Sequence, residues 1–287
     1  MMRAYYDLSC CPPSFDVVSF LLWVEQERLA RGEQSVEIDI LPGPAGGFRQ
    51  DNLWPHSIDA RIALRDKVAV PMCRMLPSAT RVQVLDHRPL PAAGSIGHGL
   101  YAMHFKRFVA AMGKGIAPLR PRTRIRADLR RVTVTLRECE HWPERNSNLA
   151  EWLKAADALA SRGYSVVFVR DTRHAGEEIP GHVIDPAAAM DLDYRGALYR
   201  ASLCNFFVSN GPAWFSLACC APTLILRPVN DALGACYGTG WLQSCGIPAG
   251  GQIPNALVGQ RLVWADDRCD AILDAFNQNF VAAELVA

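Results

Sequence analysis

The chain has 287 residues, a formal net charge of +1 and a hydrophobic fraction of 50%. This length suffices for two domains of about 130 residues each, and the balanced charge argues against a nucleic acid or an acidic membrane surface as partner. No apolar stretch approaches the roughly 18 residues of a transmembrane helix, and the ten cysteines form no CxxC pair. These totals predict a cytoplasmic protein with reduced cysteines and without a metal site, a cofactor, a transmembrane segment or a nucleic-acid partner. Peripheral contact with a membrane stays open.

The first half of the chain alternates strand and helix patterns. The clearest predicted elements are Ala4–Ser9, Ser35–Leu41 and Thr80–Asp86 as strands and Phe15–Arg31 as a helix. Ser14 is the predicted helix cap, and residues 56–76 are weakly helical, with an interruption expected at Pro71. Asp16 lies in the first turn of the long helix, where the helix dipole alone favours a carboxylate.

Two loops of this half carry side chains suited to a binding site. The first loop supplies four groups that are able to contact a sugar: the guanidinium of Arg49, the carboxylate of Asp51, the amide of Asn52 and the indole of Trp54. The loop Gly94–Lys106 holds three glycines and His98, whose unperturbed pKa near 6.5 suits a general base. A solvated loop explains the first segment equally well, and a lone loop histidine is more often simply solvated.

A proline-containing basic segment separates the two halves. Residues 113–131 lack interleaved aromatic side chains, which favours an interdomain linker near Pro118 over a nucleic-acid-binding tail. We therefore predict one Rossmann-like domain over residues 1–117 and a second over residues 118–266. A terminal helix over residues 267–287 is then able to pack back on the first domain.

The second half repeats a strand and helix alternation that is typical of a parallel, doubly wound sheet. Its predicted strands are Arg131–Leu136, Ser165–Val169, Asn205–Val208, Thr223–Leu226 and Arg261–Trp264. Its predicted helices are Leu149–Arg162, capped by Asn146 or Ser147, then Asp191–Ser202, Ala213–Cys220 and Asp266–Glu284.

Charged residues follow three of these strands. Two strands each deliver an arginine and a carboxylate, namely Arg137 with Glu138 and Arg170 with Asp171, and a third strand is followed by Arg227. Since ligands of open α/β sheets bind at the carboxyl ends of strands, these residues are candidates for an anionic ligand. Structural ion pairs would leave the same trace in the sequence.

The turn between Val208 and the next helix is the strongest candidate for an anion site. It reads Ser209, Asn210, Gly211, Pro212, Ala213. Proline suits a first helical position, glycine permits a close backbone approach, and amides at a helix N-terminus attract a phosphate or a carboxylate. An ordinary connection without a ligand is the alternative.

Two patches of the chain resemble the bacterial lipopolysaccharide heptosyltransferases, which have the GT-B fold and use nucleotide-sugar donors. The segment Phe15–Val18 resembles the Gly-Asp-Val-Ile segment that opens their first helix, with the glycine lost. Residues 209–223 resemble their Asn-Asp-Thr-Gly turn, the helix with His-Leu-Ala-Ala and the Pro-Thr strand that follows. The chain departs from this pattern in the missing histidine and the shifted glycine.

The resemblance implies two Rossmann-like domains that face each other across a cleft, the first for the acceptor and the second for the nucleotide sugar. It implies that Asp16 deprotonates an acceptor hydroxyl, that the backbone of Asn210–Ala213 holds the donor diphosphate, and that arginines replace a metal in offsetting the leaving-group charge. The hypothesis is a metal-independent glycosyltransferase that acts on a glycan or small acceptor. The alternatives are a nucleotide-sugar 2-epimerase and a non-catalytic nucleotide- or glycan-binding protein.

Overall fold

The computed structural model describes residues 1–50, 56–101, 105–140, 142–228, 230 and 238–281. The chain divides into two units, Met1–Arg122 and Thr123–Ala287. The division falls inside the basic segment that the sequence indicates as a linker, beyond the predicted boundary after residue 117.

The first unit is built on a three-stranded parallel sheet in the order β1-β2-β3. Its strands are β1 (Met2–Asp7), β2 (Val36–Leu41) and β3 (Ala79–Val84), and its helices are α1 (Val17–Ala30), α2 (Ile58–Leu64), α3 (Val70–Arg74) and α4 (Phe105–Gly113). Each predicted strand is confirmed to within two residues at either end. Asp7 pairs with Leu41 at the end of the register, so the loops after the strands gather at one edge of the sheet.

The helical stretch after residue 56 runs through Pro71, contrary to the predicted interruption. A π-helical turn, Arg65–Ala69, joins α2 to α3, and Pro71 sits in the first turn of α3. A proline is tolerated there because the wider turn before it breaks the regular ladder of N–H donors, so its missing N–H costs little.

Gly97 allows the loop after β3 to return to the sheet beside β1. The N–H of Ile96 donates to the Arg3 carbonyl at 3.2 Å, and its carbonyl accepts from the Tyr5 N–H at 2.9 Å. Gly97 has φ +89°, and a Cβ there would lie 2.1 Å from the Tyr5 carbonyl oxygen. Glycine is therefore required for this approach, after which the Gly99 N–H donates to the Asp7 carboxylate at 2.8 Å.

The second unit contains a six-stranded parallel sheet in the order β6-β5-β4-β7-β8-β9. Its strands are β4 (Asp128–Thr135), β5 (Ser165–Val169), β6 (Val183–Ile184), β7 (Ser202–Val208), β8 (Thr223–Leu226) and β9 (Gln260–Val263). Its helices are α5 (Leu149–Ser161), α6 (Pro186–Met190), α7 (Leu192–Arg200), α8 (Gly211–Ala218), α9 (Thr239–Ser244) and α10 (Cys269–Phe276). Counted from β4, this is the strand order 3-2-1-4-5-6 of the Rossmann fold. The predicted parallel, doubly wound sheet is confirmed, with β6, α6 and α9 as additions.

Neighbouring residues of β7 show how both faces of this sheet are covered. Phe206 packs on Trp152 of α5 at a ring distance of 5.5 Å, while Phe207 packs on Tyr199 of α7 at 5.2 Å. Because successive side chains of a strand point to opposite faces, α5 and α7 lie on opposite sides of the sheet. This explains why β7 is apolar without alternation.

Helix α10 packs within the core of the second unit. Ile272, Ala275 and Phe276 are buried there with the apolar residues of β4, β7 and β8, and the Phe276 ring lies 4.9 Å from the ring of Tyr164. The apolar side of α10 completes the layer that α5 begins.

No helix of the described residues combines the length and the apolar character that crossing a membrane requires. Within the same residues, no group of three or more histidine, cysteine, aspartate or glutamate side chains is arranged to hold a metal ion.

Candidate functional site

The strand order places a topological switch point between β4 and β7. Thr135 pairs with Phe207 near the ends of these strands, and the chain leaves β4 toward β5 and leaves β7 toward β8. In open α/β sheets ligands bind outside the carboxyl ends of strands at such a point. The residues after β4 and after β7, including Arg137, Glu138 and the turn Ser209–Ala213, therefore border the candidate site.

The turn after β7 offers fewer free amides than the sequence suggests. Asn210 is the N-cap of α8, and its side-chain oxygen accepts from the Ala213 N–H at 3.1 Å. Pro212 has no N–H, so two donors of the first turn are already removed. In the described part of the chain the Gly211 N–H has no protein acceptor, so this turn is able to present it to an anion.

Arg227 adds a buried positive charge beside this turn. It follows β8, is 1% exposed, and donates from Nη1 to the Ser209 hydroxyl at 3.0 Å. Its guanidinium carbon lies 5.9 Å from the ring centre of Trp241. Burial limits solvent screening, so the guanidinium and the helix dipole both favour a negative charge at this edge of the sheet.

The charged pairs after β4 and β5 bind each other. The Glu138 carboxylate accepts from Arg170 Nε at 3.0 Å and also from its Nη2, and the Glu138 N–H donates to the Asp171 carboxylate at 2.9 Å. This pairing raises the pKa of Arg170. Three residues expected at the donor site thus join two neighbouring strand ends, which is the ion-pair alternative that the sequence left open.

Arg137 organises the loop that follows β4. Its guanidinium donates to the Trp142 carbonyl at 2.8 Å and to the side-chain oxygen of Asn146, and its N–H donates to the Ser147 hydroxyl at 2.9 Å. Asn146 and Ser147 therefore brace the loop and do not cap α5, whose N-cap is Asn148.

In the first unit, Asp16 lies in a polar cluster at the start of α1. The Ser14 hydroxyl donates to the Asp16 carboxylate at 2.6 Å, and α1 begins after Asp16 without a side-chain cap, so the predicted capping by Ser14 is wrong. Burial raises the pKa of the Tyr101 phenol, the negative charge of Asp16 raises it further, and Arg49 opposes the rise through its charge and a hydrogen bond. Asp16, Arg49 and Tyr101 thus share one environment.

Arg49 also lines a small pocket of the first unit. The pocket, which is open to solvent and has a cavity volume of only about 10 Å³, is lined by Pro12, Pro13, Phe48, Arg49, His56, Arg61 and Leu64. Arg49 donates to the Cys10 carbonyl at 3.3 Å, and its own carbonyl accepts from Arg61 at 2.9 Å. The pocket combines an apolar lining with two guanidinium groups. The other predicted acceptor residues, Asp51, Asn52 and Trp54, lie outside the described residues.

His98 is held by its own loop. Its Nε2 lies 3.1 Å from the Pro89 carbonyl oxygen and therefore donates to it. The ring packs edge-on against Tyr5 at 5.3 Å. These contacts give the imidazole a structural role in fixing the loop beside β1.

Sequence reasoning did not single out Tyr101 or Trp142 as site residues. Tyr101 lies in the glycine-rich loop Gly94–Lys106, and its contact with Arg49 depends on that loop returning to β1. Trp142 lies next to Pro143 in a polar run, and an indole in such a run is the signal that marks it.

No protein-family model and no curated protein sequence matches the chain. Among solved structures, the chain is similar to the ADP-heptose lipopolysaccharide heptosyltransferase II of E. coli, at 12% identity and a TM-score of 0.55, over 99% of this chain and 100% of that one. It is also similar to the iron-containing dodecameric glycosyltransferase TibC of enterotoxigenic E. coli, at 15% identity and a TM-score of 0.51, over 98% of this chain and 76% of that one.

At such identities the likeness establishes architecture, and the activity must be argued from this chain's own residues. The similarity extends over both units and agrees with the parallel sheets described above. The chain has the GT-B-like α/β fold of the heptosyltransferases.

Proposed function

We propose that this protein is a glycosyltransferase that moves a sugar from a nucleotide-sugar donor to a hydroxyl of a glycan or small acceptor. The observation that carries the proposal is the turn after β7. It lies at the switch point of a Rossmann sheet, it presents the Gly211 N–H, and it has the buried Arg227 guanidinium beside it. The shared fold with heptosyltransferases supports the same assignment.

The second unit would bind the donor through its diphosphate. As the bond between the anomeric carbon and the diphosphate oxygen breaks, the electron pair leaves with the nucleoside diphosphate and negative charge grows on its terminal phosphate. The Gly211 N–H, the α8 dipole and the Arg227 charge all stabilise that charge, which is the electrostatic contribution that a preorganised site makes to a transition state. These groups belong to the chain itself and would offset this charge without a metal.

The first unit would bind the acceptor. The open surface around Arg49 offers apolar and guanidinium contacts, and Asp16 lies in a polar cluster with Ser14 and Tyr101. Asp16 would take the proton of the attacking hydroxyl as the new glycosidic bond forms. The hydrogen bond from Ser14 fixes the orientation of the carboxylate for this role.

Nucleotide binding is tested by thermal denaturation of the whole chain with a panel of nucleoside diphosphates and with inorganic pyrophosphate. A ligand that binds only the native state stabilises it by RT ln(1 + [L]/Kd), or about 2.7 kcal/mol at one hundred times Kd. We expect at least one nucleoside diphosphate to raise the melting temperature progressively with concentration. If none does so up to millimolar levels, both the glycosyltransferase and the epimerase assignments fail.

The role of Asp16 is tested by Asp16→Asn. We expect this variant to bind the nucleotide as the wild type does and to lose about 10²- to 10⁴-fold in turnover, the usual contribution of a general base. Asp66→Asn is the matched control, because the Asp66 side chain is 50% exposed and pairs with Arg65 on the surface. Unchanged turnover in Asp16→Asn would remove it as the base. A chain that binds nucleotide without any turnover would favour the non-catalytic binding protein.

A further inference from the structure

The loop between β4 and α5 holds a tryptophan in an unusual backbone conformation. Trp142 has φ 56° and ψ 64°, in the left-handed region. That region is unfavourable for a bulky side chain, and the following proline further restricts residue 142. Such strain persists only where the surroundings over-determine it, and it clusters at functional sites.

The surroundings of Trp142 do fix its backbone. Its carbonyl accepts from Arg137 Nη1 at 2.8 Å and from the Arg145 N–H at 3.1 Å. Asn146 closes the same loop, because its side chain accepts from the Cys139 N–H and donates to the Cys139 carbonyl, each at 3.0 Å. The loop therefore holds residue 142 in one position.

In this position the indole of Trp142 is exposed. The Trp142 side chain is 52% exposed, and no other tryptophan among the described residues falls in the exposed class. The guanidinium carbon of Arg145 lies 5.3 Å from the ring centre, a cation–π contact that orients the ring. A strained backbone thus keeps about half of the Trp142 surface accessible, which points to a ligand for this surface.

The location of the loop indicates which part of a ligand the Trp142 indole contacts. It follows β4, which is the neighbour of β7 at the switch point, so the indole and the Gly211 N–H belong to adjacent strand ends. A nucleoside diphosphate carries an anionic end and a flat aromatic end. Resting on the function proposed above, we propose that Trp142 is the platform on which the nucleobase of the donor stacks, with Arg145 and Arg137 as its positioning residues. Since every base has a π face, this platform tolerates different bases.

The test compares two ligands on three variants of the whole chain. Titration calorimetry with a nucleoside diphosphate and with inorganic pyrophosphate separates contact with the nucleoside from contact with the phosphates. Trp142→Ala removes base stacking, so it should lower the affinity for the nucleoside diphosphate by about five- to hundredfold and leave the affinity for pyrophosphate unchanged. Trp142→Phe, which keeps an aromatic face, should recover most of the loss.

Trp142→Gly tests whether the indole is instead part of the loop's packing. Glycine adopts a positive φ without steric cost, so we expect this variant to melt no lower than the wild type while losing nucleotide affinity as Trp142→Ala does. Equal losses of affinity for pyrophosphate and for the nucleotide, together with a lower melting temperature of Trp142→Gly, would overturn the proposal in favour of a packing role.

The outcomes separate this inference from the function on which it rests. If the wild type binds nucleoside diphosphates and all three variants bind them equally well, the stacking proposal is wrong and the proposed function stands. If the wild type binds neither nucleotide nor pyrophosphate, both are wrong.

Discussion

At the scale of single residues, Asp7 shows how the first unit fixes the loops around its candidate site. The side chain is fully buried at the end of β1, where it accepts from Arg88, from the Ser9 hydroxyl and N–H, and from the Gly99 N–H. Burial by itself would raise the pKa of Asp7, but these hydrogen bonds outweigh it and hold the pKa well below its ordinary value. One carboxylate thus ties two loops, those after β1 and β3, to the edge of the sheet.

Replacing Arg88 should therefore destabilise the first unit in a pH-dependent way. Arg88→Gln leaves a buried carboxylate short of its cation, and we expect a loss of about 2 kcal/mol at pH 7, less than for a fully buried pair because the Arg88 side chain is 36% exposed. A carboxyl group whose pKa is lowered by folding stabilises the folded state at pH values above its unfolded-state pKa of about 4. This stabilisation is lost as the pH falls toward the folded-state pKa. The difference between variant and wild type in urea denaturation should be smaller at pH 3 than at pH 7. A difference that is constant with pH would contradict this account.

The sequence predicts where the charged residues lie better than it predicts which groups they bind. The sequence correctly places Arg137, Glu138, Arg170 and Asp171 after strands, because apolar runs end where charges begin. That Glu138 binds Arg170 could not be predicted, since it depends on β4 and β5 being neighbours. Arg227 is buried beside Ser209, and burial of an arginine is not visible in a local pattern.

At the scale of elements, strong local patterns predicted the structure well. β5 and β8 have the bounds that their apolar runs indicate, Ser165–Val169 and Thr223–Leu226. The turn after β7 was predicted from proline, glycine and asparagine, and it does begin α8. Its donor count was overestimated, because the chain itself uses the Ala213 N–H. β6, with two residues, is too short to leave a periodic signal.

The loop after β3 provides a test of backbone geometry at this scale. Gly97→Ala would place a Cβ against the Tyr5 carbonyl and break the two hydrogen bonds that Ile96 makes with β1. We expect a loss of about 3 kcal/mol, from about 1 for the left-handed backbone and about 1 for each hydrogen bond. Gly94 also has a positive φ but has no atom within 4 Å of a Cβ, so Gly94→Ala should cost only about 1 kcal/mol. If chemical denaturation shows equal losses of unfolding free energy for Gly97→Ala and Gly94→Ala, the close approach at Gly97 is contradicted.

At the scale of the whole molecule, the chain divides the proposed reaction between two units. The second unit has the core and the strand order of a complete Rossmann sheet, while the first has a smaller sheet whose loops carry the polar cluster around Asp16. The alternation of elements predicted parallel sheets, but it could not predict the order β6-β5-β4-β7-β8-β9, because several orders satisfy the same alternation. The switch point, and with it the location of the site, emerges only from that order.

The central claim is that the Gly211 N–H binds the diphosphate of a nucleotide, and a single amide resonance reports on it. Gly211 is the only glycine in the chain that follows an asparagine, so labelling asparagine with ¹³C at the carbonyl and glycine with ¹⁵N leaves one correlated cross-peak from the Asn210–Gly211 bond. We predict that this cross-peak shifts during titration with a nucleoside diphosphate, saturates at the affinity found by calorimetry, and shifts similarly with pyrophosphate. A cross-peak that stays in place while the nucleotide saturates the protein would contradict the account.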